Sequence, residues 1–441
     1  MLSVRSQVKD FSPAVENDAY LTSLSDKYLH QYKERLDQLP SRNKKDLVEA
    51  YQLRWENIKE KFDKKEIYTS KPAQDYLDRL VAVIKKGNPL LANAELSCFF
   101  SRSDIPNASY IGEGIILFNM GLFERLDNES QAAFVLCHEM AHFLLHHSEN
   151  SINQYVATIN SEEVQAELRR IKRSEYQKHA KVQSLVKGLT FDSRRHSRDH
   201  EAQADSLAVQ LMRNTGFALS GSLSALALLD VIDADTLNTS VCLPAVFNTP
   251  EYPFRKKWIA RNDGLLGGHV QVKDTAMADS LKTHPDCRRR IGWLTKLMDG
   301  WMQPAARKFV VDSATFAVLQ KTFRYETIEY AFTANNYARS FFLTLELLQK
   351  TPGDAYLVTQ IGRIFNGIYT AQKAHTLSKV VDLPSPDLPA NYNLLLQFIQ
   401  NLYLEDIASI NYYYLKKYHP QMDVYAPYRN AYEQSERMMK N

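Results

Sequence analysis

The chain has 441 residues, more than one compact core organises, so two or three domains are expected. A hydrophobic content of 44% and a charged content of 24% match an ordinary folded protein, and a net charge of +3 points to neither nucleic acid nor an acidic partner. No run of about 18 apolar residues occurs, which argues against a membrane span. The cysteines, Cys98, Cys137, Cys242 and Cys287, form no C-x-x-C pair and do not read as a metal or redox cluster; a Cys242–Cys287 disulfide has nothing in the sequence to support it.

The first residues, from Met1 to Asp10, lack the apolar core of a signal peptide. As written, the chain reads as soluble and cytoplasmic, or as periplasmic if a leader was removed before Met1. Residues 18–66 are charged and helical with a break at Leu39-Pro40-Ser41; apolar positions look sparse there, so residues 1–70 read as a helical lead-in. A helix is expected over 73–86, stopped by Gly87-Asn88-Pro89. The apolar runs Ser97–Phe100 and Ile115–Phe118, separated by Pro106-Asn107 and Gly112-Glu113-Gly114, predict a small antiparallel sheet. Helices should follow over 128–147, 153–187 and 196–215. The basic stretch Ser161–Arg198 reads as a solvated helix face before it reads as a nucleic-acid patch.

The tail carries a repeat. Pro352, Pro386 and Pro420 recur every 34 residues, and Ser340, Ala374 and Ala408 each precede one of them by twelve. Ile361-Gly362 and Phe365 fall where the first helix of a tetratricopeptide (TPR) unit carries its small and aromatic residues. Three degenerate helical hairpins are expected over 321–422, with proline ending each second helix.

The chemistry lies in His138-Glu139-Met140-Ala141-His142. On a helix, residues i and i+4 share a face, so two imidazoles can point at one Zn²⁺. Glu139 sits one residue around, beside the metal, where it can take a proton from water. The motif is embedded in apolar sequence, where bare histidines and a carboxylate are costly to bury without a purpose. A third ligand is offered 59 residues after His142, in Arg198-Asp199-His200-Glu201-Ala202-Gln203-Ala204-Asp205. Glu201 is the favoured ligand and His200 its rival. Asp205, one turn on from Glu201, can accept the second N–H of a ligand histidine. His146 and His147 read as structural.

These residues resemble the metallopeptidase family that contains the bacterial protease HtpX, the CAAX prenyl endopeptidases and the periplasmic protease BepA. The resemblance covers about residues 75–300 in four ordered blocks. These are Pro106-Asn107-Ala108 with Gly112, Gly114 and the following strand; the 138–142 motif with His147; Ser197-Arg198, Glu201, Ala204 and Asp205 with Gly216; and Thr283-His284-Pro285 with Arg290, Ile291 and Leu294. It implies one Zn²⁺ per chain on His138, His142 and Glu201, with Glu139 as general base. It also implies that His284 stabilises the oxyanion, and that Asn107, Ala108 and the strand after them form the substrate edge. The lack of a membrane span departs from HtpX and the prenyl proteases and is similar to the soluble BepA-like branch with its TPR tail.

The fold expected is α+β and predominantly helical. A helical lead-in (1–70) precedes a zincin-type peptidase domain (71–300), with its small antiparallel sheet packed on the active-site helices, and a TPR-like helical tail (301–441). The function expected is a zinc-dependent endopeptidase acting on polypeptides, unfolded or misassembled proteins among them, with a protein partner at the tail. The alternative is a chaperone or scaffold working through the tail, with proteolysis secondary or autoinhibited. For the latter, a Gly264, Gly267, Gly268, His269 loop folding over the cleft is the device to consider; an exposed loop is the plainer reading.

Overall fold

A computed structural model describes residues 11–173, 198–232, 237–260, 286–301, 303 and 305–440. The chain is mostly helical with one three-stranded sheet, and its contacts divide it into two compact units.

The first unit combines residues 14–232 with the described part of 281–320. Its opening helices are α1 (Asp18–Asp37) and α2 (Lys44–Asp63). Their apolar residues recur every three or four positions: Leu21, Leu24, Tyr28 and Tyr32 on α1, and Leu47, Tyr51, Trp55, Ile58 and Phe62 on α2. All are buried in one core with Phe99, Ile115 and Leu117 of the sheet, and Tyr32 stacks on Trp55 at 5.4 Å. The lead-in helices thus form one wall of the sheet. Helix α3 (Lys71–Gly87) carries proline in its first turn. Beyond its end Asn88 bonds to the Ile84 and Leu211 carbonyls.

Strands β1 (Ser97–Ser101), β2 (Ala108–Gly112) and β3 (Ile115–Asn119) lie in the order β1-β3-β2. The sheet is mixed, not antiparallel as the sequence suggested: β1 runs parallel to β3, and only the β2–β3 hairpin is antiparallel. The hairpin signal at Gly112-Glu113-Gly114 fixes one pairing, but the 102–107 segment, staying at the end of the sheet where β1 finishes, starts β2 with one strand position left between it and β1. The strand that turns back therefore lands between its neighbours. All three tip residues have positive φ (107°, 47° and 72°), which glycine adopts without strain at the first and third. The middle strand β3 is buried, and β2 is an edge.

Short helix α4 (Met120–Phe123) leads to α5 (Glu129–Leu144), α6 (His147–Ile159) and α7 (Glu162–Arg173). The single helix expected over 153–187 is broken at Asn160-Ser161. Helix α8 is described over 198–213, and α9 (Ser220–Val231) packs on α5.

The second unit gathers the described parts of 1–13, 233–280 and 321–441. It contains α10 (Thr239–Phe247), and the α11 helix (Cys287–Leu297) that follows in sequence belongs to the first unit. The tail helices are α12 (Ser313–Thr333, in this unit from Lys321), α13 (Tyr337–Lys350), α14 (Ala355–Lys373), α15 (Ala390–Gln400), α16 (Leu404–Met422) and α17 (Ala426–Met439). Helix α14 is central, packed against α13, α16 and α17. The 34-residue register is only partly kept. Pro352 follows α13, but the second repeat has a 3-10 turn, Leu377–Lys379, in place of its second helix. Pro384, Pro386 and Pro389 each lack a backbone N–H, so no helix forms across them. Pro420 lies in the last turn of α16.

The four cysteines are buried, and none is in a disulfide. Among the described residues no helix is long and apolar enough to cross a membrane.

Candidate functional site

Helix α5 is buried along nearly its whole length and is held at both its start and its middle. At its start the Asn128 side chain accepts from the Gln131 N–H at 3.2 Å. Glu129, fully buried in the first turn, accepts from the Tyr76 O–H at 2.9 Å and from the N–H groups of Val310, Val311 and Asp312 at 2.6, 2.7 and 2.7 Å. A carboxylate there also suits the positive end of the helix dipole.

One turn apart on α5, His138 and His142 bring their Nε2 atoms to 3.1 Å. Helix α8 supplies Glu201, with Oε2 at 3.4 Å from His138 Nε2 and Oε1 at 3.4 Å from His142 Nε2. Donors held about 2.0–2.1 Å from one tetrahedral zinc stand about 3.3–3.4 Å from each other, so this triangle has the size such an ion requires. The two nitrogens and a carboxylate are also the donor types it takes. Among the described residues this is the one group of three such side chains that can share a metal.

Each corner is braced. His138 Nδ1 lies 3.0 Å from Asp205 Oδ1. Asp205, buried on α8, is gripped through both oxygens by Arg290 of α11 at 2.7 Å each, and Arg290 Nη1 is 3.1 Å from Glu201. Burial alone would lower the His138 pKa, but Asp205 and Glu201 outweigh it and push it up to about 10. Burial would raise the two carboxyls. The imidazoles and Arg290 instead hold Glu201 well below the carboxylate range, and Arg290 with His138 depresses Asp205. Both stay ionised, as ligands and orienters must.

His142 is braced by a neutral pair. Its Nδ1 is 3.0 Å from His147 Nδ1, and His147 Nε2 is 3.1 Å from the Gln203 amide oxygen. That oxygen only accepts, so His147 carries its proton on Nε2 and accepts on Nδ1. His142 then donates from Nδ1 and keeps the Nε2 lone pair for a metal. Burial, with His142 and His200 nearby, lowers His147 to about 4, which keeps it neutral. His200, the rival ligand, stacks on His147 at 4.2 Å and is not part of the donor triangle.

Glu139 is buried beside the triangle. Its Oε2 accepts from the Tyr110 N–H of β2 at 2.7 Å. Burial raises its pKa, opposed by His138, His142 and the Tyr110 N–H. Residues of an antiparallel edge alternate between facing the neighbour and facing away. The Tyr110 bond to Glu139 therefore puts Tyr110 and Ala108 among those whose peptide groups face away from β3. Asn107 differs: its N–H goes to the Ile105 carbonyl and its own carbonyl accepts from Asn119.

His284 and His269 lie outside the described residues. Sequence reasoning assigned no role to Tyr110 or Gln203, read His147 as structural, and met Arg290, like His147, inside a block of resemblance. For His147 and Gln203 a signal existed: each lies within five residues of a motif position.

A donor triangle of this size, with a buried carboxylate beside it that is not one of its corners, is the arrangement of a metal-dependent hydrolase. The chain belongs to peptidase family M48, whose model matches residues 78–298, and it is a metallopeptidase. The family is zinc-dependent. No curated protein matches the chain.

Proposed function

We propose that this chain is a zinc-dependent endopeptidase in which His138, His142 and Glu201 hold the ion and Glu139 is the general base. The observation that carries the reading is the donor triangle, with edges of 3.1, 3.4 and 3.4 Å. Zinc, when bound, acidifies a water and polarises the scissile carbonyl. Glu139 takes the water's proton and returns it to the leaving amine. Its carboxylate is aimed by the Tyr110 N–H, and burial raises its affinity for the proton it must carry between the two steps. Asp205 and His147 fix the ligand imidazoles. His284 is the oxyanion donor that the family resemblance assigns.

The substrate is an extended polypeptide that adds to β2. The outward Ala108 peptide groups and the Tyr110 carbonyl, whose own N–H stays with Glu139, suit main-chain pairing, which reads little of the side-chain sequence. Loose specificity of this kind fits unfolded proteins, and the helical tail is the surface for a protein partner.

The test compares wild type with Glu139→Gln for bound zinc and casein cleavage. One zinc per chain is expected in both, with cleavage at least about 100-fold slower in the variant. Full activity in Glu139→Gln would sink the mechanism.

A further inference from the structure

The family match begins at residue 78, so α1 and α2 lie outside it. Yet both send an arginine to the site strand. Arg54 of α2, whose side chain is only 10% exposed, bonds through Nη2 to Glu113 Oε1 at 2.5 Å, at the tip of the β2–β3 hairpin. Its Nη1 bonds to Glu149 Oε1 and to Ser148 Oγ, both at 3.1 Å, at the start of α6. Arg35 of α1 reaches the other Glu113 oxygen at 3.0 Å. Gly112 leaves the room: a Cβ there would meet Arg54 Nε at 2.8 Å.

Glu149 in turn accepts from the Tyr110 O–H at 3.2 Å. Tyr110 is therefore held at both ends, its phenol by Glu149 and its amide N–H by Glu139. Its ring also packs edge-on against Phe143, next to His142. Two arginines and two glutamates balance in charge; Arg35 is a third open to solvent, but Arg54, Glu113 and Glu149 are nearly covered, which leaves little water to replace Arg54 if it is lost.

We propose that Arg54 is a positioning residue for the general base: it fixes the hairpin tip and Glu149 together, and so places the Tyr110 N–H that aims Glu139. This rests on Glu139 being the base. The helices before the family's core are, on this view, a working part of the peptidase site.

The experiment uses the full chain with Arg54→Met, which keeps the aliphatic length, beside Tyr110→Phe, Ile58→Ala, Glu139→Gln and wild type. Zinc affinity, Tm, kcat, KM and amide exchange over 108–114 are measured. Arg54→Met should lower kcat about tenfold per zinc-loaded folded chain, the scale of a lost orienting partner. Zinc affinity should stay within about twofold of wild type, and the 108–114 amides should exchange faster. Tyr110→Phe should shift kcat the same way by a smaller factor. Ile58→Ala, in the core beneath the same helix, should lower Tm and leave kcat alone. A kcat within about twofold of wild type, with unchanged exchange over 108–114, overturns the proposal. If Arg54→Met does not fold, Tyr110→Phe decides by the same two readouts. An active Glu139→Gln would instead bring down the base assignment itself.

Discussion

The two imidazoles of the donor triangle are oriented by partners of different kinds. His138 faces a buried, ionised Asp205 that Arg290 holds by both oxygens. His142 faces neutral His147, itself held by Gln203, an exposed residue. Loss of the buried carboxylate frees His138 and strips Arg290 of its two-oxygen partner, leaving it only Glu201, whereas water can replace the Gln203 oxygen. Asp205→Asn should therefore weaken zinc binding about 100-fold and Gln203→Leu about tenfold, the two ends of the range for lost outer partners. Competition against a chelator of known affinity measures both, and the reverse order would refute the ranking. The same contrast explains what was legible. His138, His142 and Glu139 declare themselves because one helical turn sets their geometry. Arg290 is 85 residues from Asp205 and meets it only through the packing of α11, α9 and α5, which no local pattern encodes.

At the scale of elements, most helix positions followed from periodicity and stop signals, though not the break at Asn160-Ser161 or the missing second helix of the middle repeat, while strand pairing did not. Glycines at the hairpin tip announce a turn, but nothing local tells β1 to pair in parallel with the returning strand. The α1 and α2 core was underread for another reason: its buried positions include Tyr28, Tyr32, Tyr51 and Trp55, aromatic residues with a polar edge that count weakly as apolar. Their spacing of three and four was there to be read. Close packing between elements is equally specific. The first turn of α9 crosses the start of α5, the helix of His138 and His142, at Gly221, where a Cβ would come within 2.7 Å of the Ser130 backbone. A methyl group there has to push the two helices apart. Gly221→Ala should cost about 1–3 kcal/mol, as overpacking does, and thermal unfolding with zinc present measures it. An unchanged Tm would show that the crossing yields without strain.

At the scale of the whole molecule, length and composition called for two or three domains laid end to end, whereas the contacts group the chain into two units whose segments alternate along the sequence. Residues 237–260 come before α11 in sequence, yet their core is the tail's. Phe247 lies within 5.4–6.0 Å of the rings of Phe341, Phe365, Phe398 and Tyr414, and Trp258 is fully buried in the same cluster. Asn391 and Asn401 bond to Thr239 and to the Trp258 carbonyl. The two asparagines lie 152 and 143 residues from their partners, beyond any repeat search. The consequence is that the tail cannot be removed cleanly. Cutting after Gln320 strips these residues of their cover, exposing Leu237, Leu243, Phe247 and Trp258 together, a patch of the size that drives aggregation. A chain of residues 1–320 should therefore bind a hydrophobic dye and sediment as aggregate, and Phe247→Ala and Trp258→Ala in the truncated chain should reduce both. The casein activity of a truncated chain thus speaks to the tail's role only once these apolar side chains are removed too. A soluble, monomeric 1–320 in sedimentation would show instead that 237–260 does not depend on the tail for its burial.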